Sequence, residues 1–289
     1  MSEVVPAHKA RPRALRTNLY VYAVLSRRAG GVSIGVNLSP HKACNFDCTY
    51  CQVDRRTPAT VKTVDLSILR DEIREAFESA KTGELFGDPR FAGTPPAMLV
   101  LADVAFAGDG EPTNETWFAD AAHVVAEERT RAGLSSLPVR VITNATVFHV
   151  PRVAETLQFL DAQGLDVWAK LDAGTDAYYR LVDRSSVPFQ RVLDNLLLCA
   201  RARPTTIQSL FARHHGEAPG DAEIAAWGAR LRDLRDGGAT IPWVQVHTVS
   251  RPPAESFVQP LTMPELEKIA AAARAALPQA RVVCYRGAA

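Results

Sequence analysis

Short apolar runs alternate with helix-period segments along most of this chain, and no other feature limits its fold as strongly. Residues 33–38 read as a strand. Asp65 then stands as the cap of a helix in which Leu66, Leu69, Ile73 and Phe77 recur at helical spacing. Residues 97–107 are nearly all apolar, as in a strand buried on both faces. Helix is expected over 117–132, 153–160, 189–202, 222–234 and 264–276, the last with Met263, Leu266 and Ile269 turned inward. Strands are expected over 139–143, 166–171, 205–211, 244–249 and 281–285. About six βα units in series predict an α/β chain with a parallel sheet and right-handed crossovers. With 289 residues, 47% of them hydrophobic, the core is large enough to need no metal or disulfide for its stability. The expected organisation is a basic N-terminal extension over 1–28 and one core domain over 29–289, with the Gly/Pro-rich stretch 81–96 as an insertion.

Net charge is +1, which makes the whole molecule no magnet for nucleic acid. The charge is uneven, however. Residues 1–60 hold Lys9, Arg11, Arg13, Arg16, Arg27, Arg28, Lys42, Arg55 and Arg56 against only Glu3, Asp47 and Asp54. Such an arm suits RNA or another anion, but the leading reading is a plain solvated terminus. No apolar run approaches the roughly 20 residues of a membrane span, and the N-terminus lacks a secretory apolar segment. A cytoplasmic location is the default. There cysteines stay reduced, so a cysteine cluster points to metal or catalysis.

Such a cluster exists. Cys44, Cys48 and Cys51 stand in C-x3-C-x2-C spacing on a loop after the first expected strand. Three thiolates in eight residues can converge on one centre, and soft ligands favour iron–sulfur or zinc. A [4Fe–4S] cluster normally takes four cysteines; three leave one iron open to a small ligand. A structural zinc site completed by His41, three residues ahead of Cys44, is the alternative, and an electron-transfer module is a third. Cys199, in a Leu-rich helix, reads as a buried apolar residue, and Cys284 has no cysteine neighbour.

This loop, with the aromatic Tyr50 before its last cysteine, resembles the cluster motif of the radical S-adenosylmethionine superfamily. Gly108-Asp-Gly-Glu-Pro112, at the end of the second expected strand, is similar to that superfamily's "GGE" motif, with Gly-Asp where the motif has Gly-Gly. The nearest likeness is to the branch of wyosine-type tRNA-modifying and glycyl-radical activating enzymes. The resemblance runs from about residue 33 to 250 and implies a partial (β/α)6 TIM-like barrel, the radical SAM core. It implies that Cys44, Cys48 and Cys51 ligate three irons of a [4Fe–4S] cluster and that S-adenosylmethionine chelates the fourth. It places Tyr50 near the adenine and Gly108, Gly110 and Glu111 at the methionine end. Asn144, Lys170 and Asp172, at the ends of the third and fourth strands, match polar groups near the ribose or carboxylate; Asn144 also suits a turn and Asp172 a helix cap. Gln208, Gln245 and His247 are candidates for a substrate pocket. The implied activity is reductive cleavage of S-adenosylmethionine to a 5′-deoxyadenosyl radical that takes hydrogen from a nucleic-acid base or a protein or peptide. The implied electron donor is flavodoxin- or ferredoxin-like.

Overall fold

A computed structural model describes residues 15, 18–253 and 255–287. Lys9, Arg11, Arg13 and Arg16 of the basic arm lie outside them. Eight strands form one curled sheet: β1 (Val21–Ser26), β2 (Gly31–Val36), β3 (Leu101–Phe106), β4 (Val139–Thr143), β5 (Leu165–Lys170), β6 (Thr205–Leu210), β8 (Trp243–His247) and β10 (Arg281–Tyr285), in that spatial order. A short antiparallel pair, β7 (Ala212–His214) and β9 (Val258–Pro260), stands apart.

From β2 to β10 every neighbouring pair is parallel. Parallel strands need long crossovers, and helices supply them. These are α1 (Leu66–Thr82), α2 (Phe118–Arg131), α3 (Pro151–Asp161), α4 (Asp176–Val182) with α5 (Phe189–Ala202), α6 (Asp221–Asp236) and α7 (Met263–Ala276). The architecture is the expected one: an α/β half-barrel of six βα units, with β10 added at one edge.

The other edge differs from the sequence reading. β1 pairs antiparallel with β2, so the sheet takes in residues 21–26 of the segment counted with the basic arm. The run 21–25 is apolar enough to read as a strand, and only its place among the basic residues of the N-terminal segment groups it with the arm. In α7, Leu266 and Ile269 are buried as expected, but Met263, the first residue of the helix, is exposed. The 81–96 stretch coils into 3-10 turns over Glu84–Gly87 and Pro89–Phe91, anchored by the buried Leu85 and Phe91.

Alternation along the strands gives the sheet two unlike faces. Ile34, Val36, Val104, Phe106, Val139, Val141, Val167, Ile207, Val244 and Val246 belong to the apolar core that packs under the helices. The residues between them line the concave side, and many are polar: Ser33, Asp103, Arg140, Trp168 and His247. They enclose a chamber of about 690 Å³. Among the described residues no helix is long and apolar enough to cross a membrane.

Candidate active site

The cysteine loop leaves β2 at its carboxyl end, where βα barrels carry their chemistry. It has no regular structure of its own, so its backbone is held by neighbours. Asp47 N donates to the Asp183 carbonyl at 3.0 Å and Thr49 N to the Val182 carbonyl at 2.8 Å, just after α4. Ser185 Oγ donates to the Asn45 carbonyl at 2.8 Å. Phe46 is buried and meets Tyr179 edge to face at 5.6 Å.

The residues singled out in the sequence meet around this loop. At the end of β5, Lys170 pairs with Asp172 at 2.7 Å, and the Tyr50 hydroxyl touches both. Asp172 also accepts from Leu210 N at 2.7 Å; Thr175 caps α4, so Asp172 is no helix cap. Beyond β4, Asn144 Nδ2 donates to Asn45 Oδ1 at 2.7 Å and lies 4.0 Å from Cys44 Sγ. The residue after it, Ala145, sits at φ 62°, a left-handed conformation costing about 1 kcal/mol, and Asn195 Nδ2 holds its carbonyl at 2.8 Å.

After β3 the glycines permit close approach. A Cβ on Gly108 would collide with the Asn37 side chain, and one on Gly110 with the Ala43 carbonyl and Ser39. The GDGEP turn can therefore lie directly on the cysteine loop. Glu111 is buried, and its carboxylate is already filled. Oε1 accepts from Thr113 N at 3.1 Å, Thr113 Oγ1 at 2.6 Å and Thr143 Oγ1 at 2.7 Å, while Oε2 accepts from Asn144 N at 2.6 Å. Burial pushes its pKa up, while these bonds pull against that. Here Glu111 ties the end of β3 to the end of β4.

Of the pocket candidates, His247 lines the chamber. Gln208 Nε2 donates to Gln245 Oε1 at 2.9 Å, and both side chains are buried. Sequence reasoning passed over Asp183, which is buried between Cys48 Sγ at 3.4 Å and the Tyr50 hydroxyl at 3.3 Å. It also passed over Arg55, whose Nη1 donates to Cys51 Sγ at 3.4 Å. Neither residue carries a motif; only a basic residue four positions after the last cysteine hinted at Arg55.

All three loop cysteines are free thiols, half-buried. Burial, with Glu111 nearby, pushes Cys44 up to about 11, and burial drives Cys48 well above the ordinary thiol range. A metal centre would displace these protons. Among the described residues no three His, Cys, Asp or Glu side chains already gather closely enough to hold one metal ion, so ligation requires the thiols to turn toward a common point. The donor set suits a thiolate cluster: Phe46 N and Arg55 Nη1 are hydrogen-bond donors at Cys44 and Cys51 sulfur, the kind that stabilise iron-bound thiolates. It suits the zinc alternative less. His41 Nδ1 accepts from Ala43 N at 3.0 Å and Nε2 meets Glu115 Oε2 at 3.1 Å, so neither ring nitrogen is open to a metal.

Solved structures share this fold. Over 90% of its length the chain superposes on Streptococcus suis SuiB bound to S-adenosylmethionine, with TM-score 0.56, 11% identity and 49% of that chain covered. It superposes on TYW1 with a lysine–pyruvate adduct bound at TM-score 0.52 and 14% identity, covering 89% of this chain and 84% of that one. What the chain shares with both is the fold, a curled and mostly parallel α/β half-barrel. No protein-family profile matches the chain. Curated relatives are distant: a protein named GTPase Obg from Brachyspira hyodysenteriae, 26% identical over 190 residues (63% of this chain, 23% of that protein), and a UPF0026 protein from Methanocaldococcus jannaschii, 25% identical over 174 residues (60% and 46%). The matched part thus spans less than half the length of either relative. This chain contains no G-x-x-x-x-G-K-S/T phosphate-binding loop.

Proposed function

We propose that this chain is a radical S-adenosylmethionine enzyme. The observation that carries the proposal is the junction of the three-thiol loop with the carboxyl ends of β3, β4 and β5 through Gly110, Asn144, Tyr50, Lys170 and Asp172, beside an open chamber. In this reading Cys44, Cys48 and Cys51 hold a [4Fe–4S] cluster. Such a cluster, with S-adenosylmethionine bound, would supply one-electron reductive chemistry, in which an electron from the donor splits the sulfonium into methionine and a 5′-deoxyadenosyl radical able to take hydrogen from the substrate. The chain's own residues place the reactants. Glu111 fixes the strand ends that present the Gly108–Gly110 backbone to the methionine end. Tyr50, Asn144, Lys170 and Asp172 offer polar contacts to the nucleoside. The electron donor is flavodoxin- or ferredoxin-like, and the substrate is a nucleic-acid base or a protein or peptide group reaching into the chamber.

The test is anaerobic reconstitution with iron and sulfide, then dithionite and S-adenosylmethionine, with mass detection of 5′-deoxyadenosine. About four irons per chain and 5′-deoxyadenosine are expected. A colourless chain holding about one zinc and making none would replace this reading with a structural zinc site.

A further inference from the structure

The concave face of the sheet is charged. Arg27, Arg28, Arg140 and Arg251 line the chamber with a single acidic residue, Asp103. Asp103 is committed. It accepts from Ser33 Oγ at 3.0 Å and pairs with Arg140, whose Nε lies 2.9 Å from Asp166. The Trp168 ring lies 4.4 Å beneath the Arg140 guanidinium. These contacts engage Asp103 through Oδ2 alone; its buried Oδ1 has no hydrogen-bond partner among the described residues.

Arg28 is different. It stands in the turn 27–30 that joins β1 to β2, and it reaches the chamber. Its Nη1 lies 3.2 Å from His247 Nε2, and its guanidinium is 5.9 Å from the Trp168 ring. No carboxylate pairs with it among the described residues. Burial lowers its pKa to about 10, which leaves it cationic at neutral pH. Burial, with Arg28, Lys170 and Arg27 close by, holds His247 well below the usual histidine range. The imidazole is therefore neutral and accepts from Arg28. A partly buried guanidinium beside a neutral imidazole, an indole, the Tyr285 phenol and further cations, with no carboxylate of its own, gains from an anion that joins it. Its planar fork matches a carboxylate or a phosphate.

We propose that Arg28, oriented by His247 inside the chamber, is a subsite for an oxyanion, binding a carboxylate or phosphate group of the substrate. The proposal deepens the radical S-adenosylmethionine reading and rests on it for the identity of the chamber as the substrate site. The chamber volume falls in the range of small-molecule pockets, so the anion belongs to a small substrate or to the one residue or nucleotide that enters.

The test is isothermal titration of the reconstituted full chain, kept anaerobic, with inorganic phosphate in one arm and acetate in the other. One saturable site per chain is expected for at least one probe, and the preferred probe tells a phosphorylated substrate from a carboxylic acid. Arg28→Gln should weaken that binding by at least about tenfold, the loss of one charge-assisted hydrogen-bond pair. Arg28→Lys, which keeps the charge without the fork, should lose less and carries the comparison if the glutamine variant does not fold, as judged by circular dichroism. No saturable binding of either probe, or equal affinity in the folded variants, overturns the subsite. Binding of these probes does not depend on cleavage. A chain that binds them but makes no 5′-deoxyadenosine keeps the subsite and loses the reaction; the converse keeps the reaction and loses the subsite.

Discussion

Lys170 Nζ stands 2.7 Å from Asp172 Oδ2 at the end of β5, and the two clasp the hydroxyl of Tyr50 on the cysteine loop. Burial disfavours the lysine's charge, but Asp172, Cys48 and Asp183 around it more than offset that and raise its pKa. The pair therefore works as a latch between sheet and loop. Asp172→Asn should leave a cation with its main partner gone and cost about 3 kcal/mol, read as a lower urea midpoint. An unchanged midpoint would show that Lys170 finds another anion.

Gly110→Ala tests the close contact between the GDGEP turn and the loop. The added methyl meets the Ala43 carbonyl, a backbone atom that cannot swing aside. A loss of about 1–3 kcal/mol in stability is expected, together with a lower iron load on reconstitution, because Cys44 follows directly. Full iron uptake with native stability would mean that the turn moves freely.

Glu111→Gln places an amide where the protein offers only donors, since all four of its contacts donate to it. At least one N–H or O–H is then left facing a donor, at a cost of about 2 kcal/mol by chemical denaturation. A stable variant with weakened S-adenosylmethionine binding would instead give Glu111 a direct ligand role.

Cys48→Ala should abolish cluster assembly, and His41→Ala should not, because His41 is engaged by Ala43 and Glu115. Iron and zinc content of the reconstituted variants decides this. Loss of metal from the His41 variant alone would restore the zinc site.

His247 is held neutral far below the ordinary histidine pKa of about 6.5. Below that value the unfolded chain takes up a proton that the folded chain refuses. Its contribution to stability is therefore complete above about pH 6.5 and declines as the pH falls beneath it. Melting temperature measured from pH 7.5 to 5 should drop more steeply in the native chain than in His247→Gln. Parallel curves would place the histidine in a solvated setting.

The sequence alone determined the α/β class, the succession of six βα units and the place of the thiol loop after a strand. Those features are local: Asp65 caps α1 because its carboxylate reaches Ser67 N and Ile68 N, and the strands announce themselves as short runs rich in apolar and β-branched residues between helix-period segments. The cysteine spacing and the GDGEP turn were also readable, since each lies within a few residues of chain. Which side chains surround the thiols was decided only by the tertiary structure. Asp183 reaches Cys48 across 135 positions, and Arg28 reaches His247 across 219. The same holds for Glu111, whose carboxylate looks available in the sequence and is filled by Thr113, Thr143 and Asn144 once the ends of β3 and β4 lie side by side. Electrostatic pairing acts at a few ångströms in space whatever the separation along the chain, and only the curling of the sheet brings those distances about.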